Sequence, residues 1–170
     1  GWICRQTIIW HKPNPMPESV TDRCTKAHEY IFLLSKSERY YYDADAIAEP
    51  QADISIRRAF NTNNVAQRKD AENDQYAISG KAQDATYARM RESIEAGEPQ
   101  NRNKRSVWTV TTKPFSGAHF ATFPPDLIEP CILAGSKPGD TVLDPFGGSG
   151  TTGMVAESLG RNWTLIELNP

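Results

Sequence analysis

Asp144-Pro145-Phe146-Gly147-Gly148-Ser149-Gly150-Thr151-Thr152-Gly153 is the stretch on which the fold turns. Gly148, Gly150 and Gly153 satisfy the pattern G-x-G-x-x-G. The pattern follows a strand-like run, Thr141-Val142-Leu143-Asp144, and opens a helical stretch from about Thr151 to Leu159 that Gly160 stops. A glycine-rich turn carries information in that context, because glycine lets the chain bend sharply and lets a ligand approach bare backbone. Trp163-Thr164-Leu165-Ile166-Glu167 reads as a second strand. The whole is a β-loop-α-β unit, which predicts parallel strands and a right-handed crossover. Glu167 lies 17 residues after Gly150, where an acid can accept hydrogen bonds from two ribose hydroxyls. Strand, turn, helix and acid together point to a nucleoside-containing ligand across the strand ends.

Other glycine-rich loops do not fit. A Walker loop needs Gly-Lys-Ser/Thr, and Gly153 is followed by Met154. A nucleophile elbow needs glycine two residues after its serine, and Ser149 is followed at that distance by Thr151. A nicotinamide dinucleotide fits the spacing, yet a pyrophosphate would meet the charge of Asp144 directly before the turn. A carboxylate there suits a ligand with a cationic amino group, such as a methionine moiety.

Working outward, Pro124 and Pro125 open a helical pattern that places Leu127, Ile128, Cys131 and Ile132 on one face. Gly135 and Pro138-Gly139 close it. Residues 106–170 thus read as one α/β unit that binds the cofactor. Residues 61–105 are polar, with Val65, Ile78, Met90 and Ile94 as the only bulky aliphatic side chains. One helix, from about Ala82 to Ala96, is predicted there. Residues 1–60 hold two continuous apolar runs, Thr7-Ile8-Ile9-Trp10 and Tyr30-Ile31-Phe32-Leu33-Leu34, which read as strands buried on both faces. Between them Lys12-Pro13-Asn14-Pro15-Met16-Pro17 excludes helix and central strand and predicts a long, stiff loop.

Composition sets outer limits. The 170 residues are 38% hydrophobic, so part of the chain lies outside any packed core. Nineteen basic against twenty-one acidic residues give a net charge of −2, which excludes a uniformly cationic nucleic-acid coat. Cys4, Cys24 and Cys131 are widely spaced, which supports neither a disulfide framework nor a zinc site and fits a reducing, cytoplasmic compartment. The longest apolar run, Tyr30 to Leu34, is too short for a membrane span. The chain opens on Gly1 rather than Met, so an upstream part is expected.

The run Asp144 to Thr152 closely resembles the cofactor motif of the S-adenosylmethionine-dependent DNA amino-methyltransferases, which methylate N4 of cytosine or N6 of adenine. A second motif of that family resembles His119-Phe120-Ala121-Thr122-Phe123-Pro124-Pro125, and Glu167 matches its ribose-binding acid. Residues 8–15 and 28–36 resemble the family's last two strands. The resemblance covers roughly residues 1–60 and 103–170, in the motif order of the family's beta group. It implies a Rossmann-like α/β fold with S-adenosyl-L-methionine as cofactor and double-stranded DNA as partner, in bacterial or phage restriction-modification. The implied cofactor residues are His119, Phe120, Ala121, Thr122, Phe123, Pro124, Asp144, Pro145, Phe146, Gly147, Gly148, Ser149, Gly150, Thr151 and Glu167.

By the same resemblance residues 61–105 would help to read the DNA sequence. Arg102, Lys104, Arg105 and Lys113 form a basic stretch without an acid between residues 99 and 125, suited to phosphate contacts. Lys12 and Asn14 of the proline-rich loop are candidates for the base side. His11 and His28 stand apart from any ligand cluster and read as structural.

The family's catalytic tetrapeptide, Asp/Ser/Asn-Pro-Pro-Tyr/Phe/Trp, does not occur. The only Pro-Pro, Pro124-Pro125, lies between Phe123 and Asp126. No catalytic residue is therefore assigned. The expectation is an incomplete fold without its central catalytic strands, inactive alone, whose missing strands an N-terminal part of the same enzyme would supply. A nicotinamide-dependent oxidoreductase and an inactive DNA-binding remnant are the alternatives.

Overall fold

A computed structural model describes residues 1–60, 74–113 and 122–168. The elements in chain order are β1 (Ile3–His11), β2 (His28–Ser35), a 3-10 turn (Asp45–Ile47), β3 (Glu49–Pro50), α1 (Asp53–Phe60), α2 (Asp74–Glu95), β4 (Asn101–Arg102), β5 (Val107–Thr109), α3 (Pro125–Gly135), β6 (Thr141–Asp144), α4 (Thr151–Ser158) and β7 (Asn162–Leu165). They form two compact units, Gly1–Ile47 with Lys104–Pro170, and Ala48–Asn103.

The first unit holds two separate sheets. In one, β1 lies between β2 and β5. It runs antiparallel to β2, from Ile3↔Ser35 to His11↔His28, and parallel to β5, with Ile9 opposite Val107. In the other, β6 and β7 pair in parallel from Thr141↔Asn162 to Asp144↔Leu165, as the β-loop-α-β reading predicts. Both β1 and β2 extend beyond the apolar runs, and their ladder continues from Gln6 to Ile3 past a bulge at Arg5.

Helix α3 links the two sheets' cores. Pro125 sits in its first turn behind Pro124, where a missing N–H costs nothing, and Pro130 is tolerated inside it. One side of α3 gives Leu127 to a cluster with Ile8, Trp10 and Trp108, against which Ile31, Phe123 and Cys131 pack. The other gives Ile132 to a cluster with Val155 and Ala156 of α4, with Ile128 and Val142 alongside. The indole N–H groups of Trp10 and Trp108 donate to the carbonyls of Val110 and Arg105, at 2.8 and 2.7 Å, so both rings are buried without an orphaned donor. Arg161 donates to the carbonyls of Ser136 and Leu159 and ties the ends of α3 and α4.

The expectation that the first two strands are buried on both faces is corrected. Successive strand residues alternate between faces, and only the Ile31 side of β2 meets α3. On the other side Tyr30, Phe32 and Leu34 remain 52%, 57% and 46% exposed. A continuous apolar run reads the same whether one face or both are covered, so the sequence could not separate the cases.

In the second unit β3 pairs antiparallel with β4, and α1 contacts α2. Helix α2 is longer than predicted, beginning at Asp74 rather than near Ala82, because its polar first turns carry no apolar period to announce them. It ends as predicted, with Gly97 at φ 75° and its N–H on the Ile94 carbonyl.

Candidate cofactor site

The strand β6 delivers Asp144 to the mouth of the glycine turn, and both of its oxygens are engaged. Oδ1 accepts the Phe146 N–H at 2.9 Å, and Oδ2 accepts the Thr152 hydroxyl at 2.6 Å. The turn is closed by backbone bonds: Gly147 N–H to Ile166 O at 2.8 Å, Gly150 N–H to Gly147 O at 2.8 Å, and Ile166 N–H to Asp144 O at 2.9 Å. Gly148 and Gly150 have φ of 49° and 78°, a region that side chains beyond glycine rarely adopt. Gly150 is the residue that starts α4. Gly153 is tightly packed: a Cβ there would lie 3.0 Å from Leu165 and 3.1 Å from the Trp163 ring, so one of these side chains would have to shift.

Glu167, read as the last residue of the second strand, lies two residues beyond the end of β7. Its carboxylate accepts the Gly148 N–H at 2.7 Å and the Leu168 N–H at 2.9 Å. The acid read as a ribose ligand therefore already braces the turn. Ser149 and Thr151 share a hydrogen bond at 3.0 Å, and Phe146 is 86% exposed at the tip. No Lys or Arg occurs between residues 144 and 160.

Two cavities flank α3. One of about 450 Å³ runs along β6 and is lined by Asp144, Thr152, Val142, Leu143, Ile132 and Phe123 among others. The other, of about 310 Å³, is lined by Trp10, Lys12, Glu29, Thr122 and Phe123 among others. Phe123, Ile128 and Cys131 line both. Burial pushes the Cys131 thiol up to about 11, against the opposing pull of the Lys104 ammonium, so it is a packing group and not a nucleophile. Pro124 caps α3 and accepts the Leu127 N–H. His119, Phe120 and Ala121 lie outside the described residues.

The basic candidates are not gathered in one place. Lys12 pairs with Glu29 and lies 4.4 Å from the Trp10 ring centroid. Asn14 donates to the Thr112 carbonyl and accepts the Thr112 N–H, both at 3.1 Å, so its amide acts as a rung continuing the β1–β5 ladder. Lys104 and Arg105 precede β5, with the Lys104 ammonium 5.3 Å from the Trp108 ring. Arg102 belongs to the second unit, where it pairs with Glu49 at 3.7 Å. His11 contacts the Thr109 hydroxyl and His28 the Tyr30 hydroxyl, each at 3.2 Å. Among the described residues no cluster of His, Cys, Asp and Glu could hold a metal, and no helix is long and apolar enough to cross a membrane.

Thr152 is the residue that sequence reasoning passed over. Its signal in the sequence was a hydroxyl at the start of a helix, eight positions after the strand-end acid.

An α/β unit with an acid before a left-handed glycine turn and a second acid after the next strand has the form of a nucleoside-binding site. The family model described as DNA methylase matches residues 1–170, and the chain belongs to that family, whose cofactor is S-adenosylmethionine. Type II methyltransferase M.Cfr9I of Citrobacter freundii is 45% identical over 170 residues, covering 100% of this chain and 42% of that protein. Type II methyltransferase M.SmaI of Serratia marcescens is 41% identical over 169 residues, covering 99% of this chain and 43% of that protein. The chain thus spans about two fifths of the length of these relatives. Among solved structures, the PvuII DNA methyltransferase (cytosine-N4-specific) superposes with a TM-score of 0.61 at 19% identity, covering 100% of this chain and 48% of that one. The M1.HpyAVI–SAM complex gives a TM-score of 0.60 at 21% identity, covering 100% and 58%. These likenesses establish the methyltransferase fold. They lend no support to the nicotinamide-dependent alternative.

Proposed function

We propose that this chain is the cofactor-binding portion of a site-specific DNA methyltransferase, which moves a methyl group from S-adenosylmethionine to the exocyclic amine of cytosine (N4) or adenine (N6). The observation that carries the reading is the turn itself: left-handed Gly148 and Gly150 between the carboxylates of Asp144 and Glu167, with Asp144 placed where a pyrophosphate would meet its charge. This donor set fits the cofactor. Glu167 would hold the ribose hydroxyls, Asp144 would face the methionine amino group, and Phe123 would wall the cavity beside it. The bound cofactor supplies a methyl on a positively charged sulfur. That methyl would be open to in-line attack by the base amine, with sulfur keeping the bonding electrons and the amine's proton leaving to water.

The catalytic tetrapeptide is absent from the 170 residues, so this chain alone would not methylate DNA. Strands carrying it would seat over α3, between β2 and β6. In support, β2 pairs only with β1 and β6 only with β7 among the described residues. Leu143 is 60% exposed on β6, and covering such a side chain contributes about 1.5–3 kcal/mol. An N-terminal part of the same enzyme is the proposed source of these strands. Residues 61–105 would contribute to DNA recognition, and Lys104, Arg105 and Arg102 to phosphate contacts. The setting would be the cytoplasm of a bacterial cell.

Transfer of tritiated methyl to mixed-sequence duplex DNA tests the reading. The 170-residue chain should give none. The same chain joined to a segment bearing Asp/Ser/Asn-Pro-Pro-Tyr/Phe/Trp should give cofactor-dependent transfer. Methylation by the chain alone would mean that its catalytic groups lie elsewhere, and none by the joined protein would favour an inactive remnant.

A further inference from the structure

Asp144 ends β6 at the glycine turn with a carboxylate whose plane is fixed by two donors of different kinds. The Phe146 N–H comes from the turn, and any residue at that position supplies it. The Thr152 hydroxyl comes from a side chain, buried at 5% exposure, on the first turn of α4. Each carboxylate oxygen accepts one internal bond and keeps a lone pair for a ligand. Without the Thr152 bond, Oδ2 accepts no other hydrogen bond from the described residues, and the carboxylate can rotate about its side-chain torsions.

We propose that Thr152 is a positioning residue for the amino-acid arm of the cofactor: its hydroxyl locks Asp144 in the orientation that receives a cationic amino group. The proposal rests on the reading of the turn as an S-adenosylmethionine site and deepens it by assigning a group that does not itself reach the ligand. The helix start that carries Thr152 is fixed by Gly150 and by the packing of Gly153 on Trp163, so the hydroxyl is a rigid donor. A preset acceptor spends no ordering entropy when the ammonium arrives. The 2.6 Å bond is short because its acceptor is charged. The adenosine end of the cofactor, gathered by Glu167 on the far side of the turn, gains nothing from this lock.

The test uses two ligands that share adenosine and a neutral thioether and differ in the amino-acid arm: S-adenosylhomocysteine and 5′-methylthioadenosine. Both are titrated calorimetrically into the full-length protein and its variants. Thr152→Val and Thr152→Ala should weaken S-adenosylhomocysteine about tenfold and leave 5′-methylthioadenosine within about twofold. Thr152→Ser, which keeps the hydroxyl, should restore the affinity. In an Asp144→Asn background, Thr152→Val should add little. Equal losses for the two ligands would make Thr152 a structural residue only and overturn the proposal, as would unchanged affinities. Full effect of Thr152→Val in the Asp144→Asn background would also overturn it. Failure of the unaltered protein to bind either ligand would instead sink the cofactor reading beneath it.

Discussion

The glycine turn and the β1–β5 seam are built from bonds of very different reach. In the turn, the side-chain bonds of Asp144 and Glu167 span 1, 2, 8 and 19 residues. In the seam, Trp10 bonds Val110 across 100 residues and Asn14 bonds Thr112 across 98. Closing a longer loop costs more entropy, though only logarithmically, and it needs every intervening element in place. The turn is therefore a local device that its own sequence specifies. The seam is a cooperative product of the unit, and it depends on the apolar cluster that Trp10 and Trp108 share with Leu127.

The largest effect should come from the seam. Trp10→Ala removes a ring that is 4% exposed and should cost about 3–5 kcal/mol, lowering the chemical-denaturation midpoint far more than any change in the turn. A loss under about 1 kcal/mol would mean that the cluster is not the centre of this unit. Next comes Gly153→Val, which forces side-chain atoms toward Leu165 and Trp163 and should cost about 1–3 kcal/mol of stability in a thermal melt. A stable variant would show that α4 can move away from β7, so that the turn is less rigid than its bonds imply. Smaller still is Asn14→Ala. It deletes both bonds to Thr112 and should cost about 0.5–1.5 kcal/mol each, discounted for exposure, while leaving cofactor affinity unchanged. If affinity falls with it, the proline-rich loop and the turn are coupled and the two-device contrast fails.

The same contrast explains what could be read in advance. The strand over Thr141–Asp144, the helix from Thr151 and the helix behind Pro124 and Pro125 are observed where the periodicity puts them. Each is specified by neighbours within one turn or one strand. The glycines, Asp144 and Glu167 do come together at one turn. What escaped was long-range or face-specific. Nothing near Asn14 in sequence announces Thr112 as its partner. Nothing in Tyr30-Ile31-Phe32-Leu33-Leu34 tells which face will be left bare. Thr152 escaped for a subtler reason: a buried hydroxyl matters only once its acceptor is known.

The bare face of β2 and the bare side of β6 also differ from the turn in kind. The turn satisfies its polar groups within itself, whereas these strands present apolar side chains and unpaired edges among the described residues. Exposed edges and apolar faces are a liability that proteins normally cover. That asymmetry, a finished turn beside unfinished sheets, is what the proposed addition of catalytic strands accounts for.

The central claim, that the turn between Asp144 and Glu167 holds S-adenosylmethionine, is tested most directly at the ribose. S-adenosylhomocysteine and an analogue lacking both ribose hydroxyls should be titrated into the unaltered protein and into Glu167→Gln. Glutamine keeps an oxygen for the Gly148 N–H and gives up only the bond from the neighbouring Leu168 N–H, so the turn itself should persist. The account predicts that Glu167→Gln weakens S-adenosylhomocysteine about tenfold, on the order of 1.4 kcal/mol, and leaves the dideoxy analogue within about twofold. Equal losses for the two ligands, or no binding of S-adenosylhomocysteine by the unaltered protein, would contradict it.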